Sequence, residues 1–210
     1  MKIKVCGLTN FEQLQQVQDL GVDYAGMIFY EGSPRYAGNK LHPEKELVKN
    51  TSINKIGVFV NADYDTIIKT IDDYGLLAVQ LHGDETDEFC MELMDLVKVI
   101  KVFKLKDQHN IDEMVESFQN VCHFFLFDTS VNKENVYGGT GEKFNWDILA
   151  GSSIKKPFFL SGGIGPGDAS TIKLFKHDYL YGIDINSHFE KEPGIKDINL
   201  VENFIKEIRG

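Results

Sequence analysis

Cys6, Gln80, His82, Asp128 and Asp184 each stand at the C-terminal end of a short β-rich run, and Gly162-Gly163 and Asn186-Ser187 stand just beyond two others. A thiol, two carboxyls, an imidazole and an amide are side chains that hydrogen-bond a ligand, and most of them exchange protons. The run Ser161-Gly162-Gly163-Ile164-Gly165-Pro166-Gly167 follows one β-rich run and opens a helix. Glycines let backbone N–H groups approach an anion closely, and a helix N-terminus adds positive potential. Phosphate binding is the chemistry these features share. Gly162 and Gly163 would supply backbone donors, and Asn186 and Ser187 backbone and hydroxyl donors. The blander reading is a tight turn that needs positive φ. A second run, Gly138-Gly139-Thr140-Gly141, sits in the irregular stretch 129–143. It reads as a mobile lid over a substrate or as an ordinary flexible turn.

These residues need elements that bring them to one place. The β-rich runs are 2–6, 24–29, 55–60, 78–82, 99–103, 123–128, 157–161 and 180–185. Helix-like stretches at 11–20, 43–49, 64–74, 86–96, 111–118, 145–149, 167–175 and 197–208 follow them in turn. Strands that alternate with helices imply crossover connections and a parallel sheet. Eight such units in 210 residues predict an α/β fold, a single (β/α)8 TIM barrel over residues 1–210. Asn10 and Asp63 are N-cap types before two of the helices, and Asn145 can cap the short helix near Trp146.

In that fold the C-terminal ends of the strands form the site, and the strand seven to eight region is the recurrent phosphate position. Alternation sets the faces. Ile3, Val5, Val79, Leu81, Phe125, Phe127, Ile183 and Ile185 should face the helices. Lys4, Cys6, Gln80, His82, Asp128 and Asp184 should face the barrel interior. Four strands thus deliver polar side chains to one mouth. The plainer account is that strands simply end near solvent.

Composition narrows the partners. The net charge of −10 argues against nucleic acid and anionic membrane surfaces, which need clustered Lys and Arg. A small anion in a local pocket remains compatible with it. Cys6, Cys90 and Cys122 are sparse, odd in number and without CxxC spacing, so neither a disulfide framework nor a metal site is expected. Cys90 and Cys122 read as reduced core residues. No apolar run reaches about 18 residues and the first residues lack a signal-type apolar stretch, so the cytoplasm is the expected compartment.

Several segments together resemble phosphoribosylanthranilate isomerases. They are Lys4-Val5-Cys6-Gly7-Leu8-Thr9, Ser33-Pro34-Arg35-Tyr36, Gly57-Val58-Phe59-Val60-Asn61 and Val79-Gln80-Leu81-His82-Gly83-Asp84-Glu85. Tyr137-Gly138-Gly139-Thr140-Gly141, Ser161-Gly162-Gly163-Ile164 and Pro193-Gly194-Ile195-Lys196-Asp197 continue the match in the same order. The segment from Asp184 to Glu190 departs slightly: Asn186 stands where a serine is common, and His188, read as exposed loop filler, where glycine or a basic residue is usual.

The resemblance implies an Amadori rearrangement in tryptophan biosynthesis, from N-(5-phosphoribosyl)anthranilate to 1-(2-carboxyphenylamino)-1-deoxyribulose 5-phosphate. It assigns Asp128 as general acid and Cys6 as general base. Asp128 would need its pKa raised by burial among phenylalanines, and Cys6 would need nearby positive charge, for which Lys4 is a candidate. Arg35 would grip the anthranilate carboxylate, and Gln80, His82 and Asp184 would position the substrate. The resemblance implies no metal and no cofactor, with the chain a monomer or homodimer. The competing enzyme is an aminoaldose isomerase of histidine biosynthesis, which uses carboxylates on strands one and five. Here strand one ends in Cys6 and the fifth run in Phe103, without a carboxylate. A non-catalytic phosphate-ligand barrel is the other alternative.

Overall fold

Eight strands pair edge to edge, all parallel, and the last returns to the first. They are β1 (Lys2–Val5), β2 (Tyr24–Ile28), β3 (Asn54–Phe59), β4 (Ala78–Leu81), β5 (Lys98–Leu105), β6 (Phe124–Thr129), β7 (Phe158–Leu160) and β8 (Leu180–Ile185). Closure sets Lys4 of β1 beside Asp184 of β8. The computed structural model describes residues 1–105, 110–129 and 145–210, so the glycine run 138–141 lies outside the described residues.

The period-two alternation sorts the apolar side chains into two cores. Ile3, Val5, Val79, Leu81, Phe125, Phe127, Ile183 and Ile185 join the large core under the helices. Ile56, Ala78, Ile100, Val102, Leu126 and Phe159 fill the barrel itself. The interior is therefore packed and leaves space for a ligand only at an end.

Helix starts follow their caps. Asn10 Oδ1 accepts from Gln13 N–H (2.8 Å), and Asp63 Oδ1 from Thr66 N–H (2.8 Å). Asn145 Oδ1 accepts from Asp147 N–H (3.0 Å) at the start of the short helix Asp147–Ala150. Three helices are shorter or more broken than expected. Residues 43–49 give a 3₁₀ turn His42–Glu44 and a helix Lys45–Lys49. The helix after β5 ends at Val115 and tightens into a 3₁₀ turn Glu116–Phe118. The helix after β7 starts at Ala169, after a 3₁₀ turn Pro166–Asp168. Pro43 and Pro166 lack an N–H and suit the first two positions of such turns, where no partner within the turn is needed.

A small antiparallel hairpin, β9 (Glu190–Glu192) and β10 (Ile195–Lys196), follows β8 and was not expected from the periodicity. Its Pro193-Gly194 turn, with Gly194 at φ +90°, is the local signal for it. No helix among the described residues is long and apolar enough to cross a membrane.

Candidate active site

One cavity opens at the C-terminal end of the barrel, about 590 Å³ with its open entrance. Cys6, Arg35, Gln80, His82, Asp128, Ser161, Gly162, Gly163, Asp184, Asn186 and Ser187 all contribute to its wall. The four strand phases read from the sequence therefore converge, and the residues expected beyond β7 and β8 meet them there.

On the β1 side, Lys4 is wholly buried and its Nζ donates to Asp184 Oδ2 (2.8 Å). Burial disfavours the Lys4 ammonium, but Asp184 and Cys6 more than offset it and hold Lys4 above its ordinary pKa. Cys6 lies one step along the same face and is 4% exposed. Gly26 of β2 makes room for it, since a Cβ there would stand 2.8 Å from Cys6 Sγ and 3.1 Å from Lys4 Cε. Burial raises the Cys6 thiol pKa, while Lys4 and Lys196 pull it down and Asp184 pushes it up; the net direction is upward. Lys4, the candidate for that nearby positive charge, does act on the thiol, and Lys196 acts beside it. Lys4 also pairs with Asp184, and burial outweighs its pull on the thiol.

On the opposite wall, Gln80 Nε2 lies 3.2 Å from His82 Nδ1. His82 Nε2 approaches Asp128 Oδ2 at 3.4 Å, an ion-pair distance without the alignment of a hydrogen bond. Asp128 Oδ1 accepts from Thr129 N–H (2.8 Å). Gln80 Oε1, His82 Nε2 and Asp184 Oδ1 are buried without hydrogen-bond partners among the described residues. Such atoms are costly unless a ligand or water satisfies them, and all three belong to residues of this one cavity.

The loop after β7 turns through Gly162 (φ +84°) and Gly163 (φ +65°), a conformation that favours glycine. Gly162 packs so closely on Thr129 and Asp128 that a Cβ there would stand 2.7 Å from Thr129 N and 3.2 Å from Asp128 Oδ1. The glycine turn thus rests directly against the end of β6. Asn186 and Ser187 face it from the end of β8. His188 is exposed, as expected of a loop residue.

Arg35 comes from the segment after β2 and is 8% exposed, so it is no surface arginine. Its Nε and Nη2 clasp the Glu190 carboxylate (3.0 and 2.7 Å). Glu190 Oε1 also accepts from Lys196 Nζ (2.7 Å). Arg35 therefore enters the cavity already oriented by a carboxylate from the β9–β10 hairpin, a partner the residue pattern did not disclose.

The family model described as N-(5'phosphoribosyl)anthranilate (PRA) isomerase matches residues 3–207. The N-(5'-phosphoribosyl)anthranilate isomerase of Phocaeicola vulgatus is 39% identical over 212 residues, covering 100% of this chain and 98% of that protein. The chain belongs to this family. Among solved structures, the phosphoribosyl anthranilate isomerase of Thermotoga maritima is 28% identical with a TM-score of 0.85, over 100% of this chain and 99% of that one. A phosphoribosyl anthranilate isomerase in complex with reduced 1-(o-carboxyphenylamino)-1-deoxyribulose 5-phosphate is 27% identical with a TM-score of 0.82, covering 100% of this chain and 99% of that one.

Within this phosphoribosylanthranilate isomerase barrel, each described residue read from the sequence as a site candidate reaches the same cavity. Two residues of its surroundings escaped that reading. Glu190 and Lys196 sit on a hairpin too short to show periodicity; Glu190 meets the site through Arg35, and Lys196 through Asn186. Glu85, at the end of β4, faces away from the chemistry: it accepts from buried Lys101 (2.8 Å) and from Asn61 N–H (2.9 Å).

Proposed function

We propose that this mouth carries out the family's isomerisation with Cys6 as general base and Asp128 as general acid. The family's reaction turns an aminoaldose, N-(5-phosphoribosyl)anthranilate, into the aminoketose 1-(2-carboxyphenylamino)-1-deoxyribulose 5-phosphate, in tryptophan biosynthesis. One observation carries the assignment of roles: a buried thiol and a buried carboxyl from β1 and β6 share one cavity with a glycine-rich anion cradle.

In this reading the phosphate sits at Gly162, Gly163, Asn186 and Ser187, where backbone N–H groups face it. Asp128 gives its proton to the ribose ring oxygen and the ring opens to the protonated Schiff base. The Cys6 thiolate then takes the proton from C2, leaving an enolamine. Transfer of a proton from the 2-hydroxyl to C1 yields the ketone, and exchange with solvent returns the proton from Cys6 to Asp128. Each of the two groups supplies roughly 10²–10⁴-fold. The unpartnered atoms of Gln80, His82 and Asp184 hold the ribose hydroxyls, and Arg35 takes the anthranilate carboxylate through the edge Glu190 leaves open. The reading includes a cytoplasmic chain that acts as a monomer or homodimer on a small phosphorylated substrate. It has no nucleic-acid or membrane partner and needs neither metal nor cofactor.

The test is a fluorescence turnover assay with freshly generated phosphoribosylanthranilate on wild type and Cys6→Ala. Wild type should consume the substrate, and Cys6→Ala should lose about 10²-fold or more in kcat with an unchanged circular dichroism spectrum. Full turnover by Cys6→Ala would remove the thiol from the mechanism.

A further inference from the structure

Glu190 and Lys196 do not line the cavity, yet their hairpin is fastened to the segment that bears Cys6. Thr9 Oγ1 donates to Gly194 O (2.8 Å), and Gln13 Nε2 donates to Lys196 O (2.8 Å) while its Oε1 accepts from Lys196 N–H (2.8 Å). The Lys196 side chain is fully buried. Its Nζ donates to Glu190 Oε1 (2.7 Å) and to Asn186 Oδ1 (2.6 Å). That Asn186 oxygen lies 2.8 Å from where a Cβ on Gly7 would stand, and Arg35 Cδ lies at the same distance. Gly7, at φ +80°, lets both approach. A buried ammonium is thus held two contacts away from the residue that follows the thiol.

The charges around Cys6 do not balance by themselves. Among the described residues, the buried cations on the β1 side of the mouth are Lys4, Arg35 and Lys196, and the carboxylates they pair with are Asp184 and Glu190. Lys4 has Asp184 to itself, and Arg35 takes both oxygens of Glu190. Lys196 must share Glu190, so it is the cation in surplus. Across the mouth stand His82 and Asp128, which face each other at 3.4 Å, and Asp128 pairs with none of these three cations among the described residues. An uncompensated buried cation is costly, and a thiolate at Cys6 would neutralise it. Burial also pushes the Lys196 pKa down, so the ammonium gains from a nearby anion as much as the thiolate gains from it.

We propose that Lys196 is a positioning residue of the reaction: a buried ammonium that favours the Cys6 thiolate, kept in place by Glu190, which orients Lys196 and Arg35 together. The proposal rests on Cys6 being the base, and its test reads the thiol directly rather than turnover.

The rate of Cys6 alkylation by iodoacetamide tracks the thiolate fraction. It is followed by peptide mass spectrometry across pH in the full chain, which separates Cys6 from Cys90 and Cys122. Lys196→Gln keeps donors for Glu190 and Asn186 but removes the charge. It should raise the Cys6 midpoint by about one unit and slow alkylation near neutral pH about tenfold. The double variant Glu190→Gln/Lys196→Gln removes one charge of each sign and should bring the midpoint back toward wild type. A merely structural role predicts the reverse, since the second change adds damage. Lys196→Met serves as the single variant if Lys196→Gln does not fold. An unmoved midpoint in a folded single variant, or a further rise in the double, overturns the proposal. Turnover by Cys6→Ala is a separate result and retires the base without altering what alkylation says of Lys196.

Discussion

The two ends of the barrel are built from the same eight strands and handle polarity in opposite ways. At the N-terminal end, Tyr24, Phe124, Phe159 and Tyr181 pack ring against ring at 4.9–6.3 Å. The two hydroxyls there bond each other at 2.6 Å, and burial with that hydrogen bond raises the Tyr24 pKa. At the C-terminal end, three buried polar atoms have no partner among the described residues, and the ion pairs Lys4–Asp184 and Lys196–Glu190 are buried. Nearness to solvent applies to both ends, so it does not explain the mouth. One end is finished without a ligand and the other is not, which is how a packed scaffold and a binding site differ energetically.

The sharpest way to break the contrast is at the floor. Phe159→Ala removes a buried ring and should cost about 3–5 kcal/mol in urea unfolding, with KM near wild type. A large KM change at unaltered stability would mean the floor belongs to the site. At the mouth, Asp128→Asn should leave unfolding nearly unchanged and cut kcat by about 10²-fold or more, which is about 2.7 kcal/mol added to the activation barrier. A stability loss without a rate loss would place Asp128 in the scaffold.

Arg35→Ala should raise KM about tenfold and change kcat less, because it removes binding to the anthranilate carboxylate. Unchanged kinetics would restrict Arg35 to its pairing with Glu190. The smallest effect concerns acid stability. Burial would raise the Glu190 pKa, but Arg35 and Lys196 outweigh it and hold it below the ordinary 4.5. Its contribution is therefore present above pH 4.5 and lost as pH falls through the lower folded value. Glu190→Gln should flatten the fall of Tm with pH below about 4.5, as read by thermal unfolding at several pH values. An equally steep fall would show that Glu190 carries no such linkage.

The sequence already determined the strands and which face each residue takes, since a two-residue period and cap chemistry act over neighbouring residues. It also determined the glycine turn beyond β7, because positive φ at Gly162 and Gly163 is a local demand. Lys4 and Asp184 illustrate the other kind of fact. They are 180 residues apart and pair only because β8 closes onto β1. Arg35 and Glu190 are 155 apart, and no spacing reveals that the arginine arrives with a carboxylate attached. Even the state of Cys6 was out of reach from its neighbours in the chain. Burial, Lys4, Asp184 and Lys196 compete at the sulfur, and long-range packing alone decides how near each one stands.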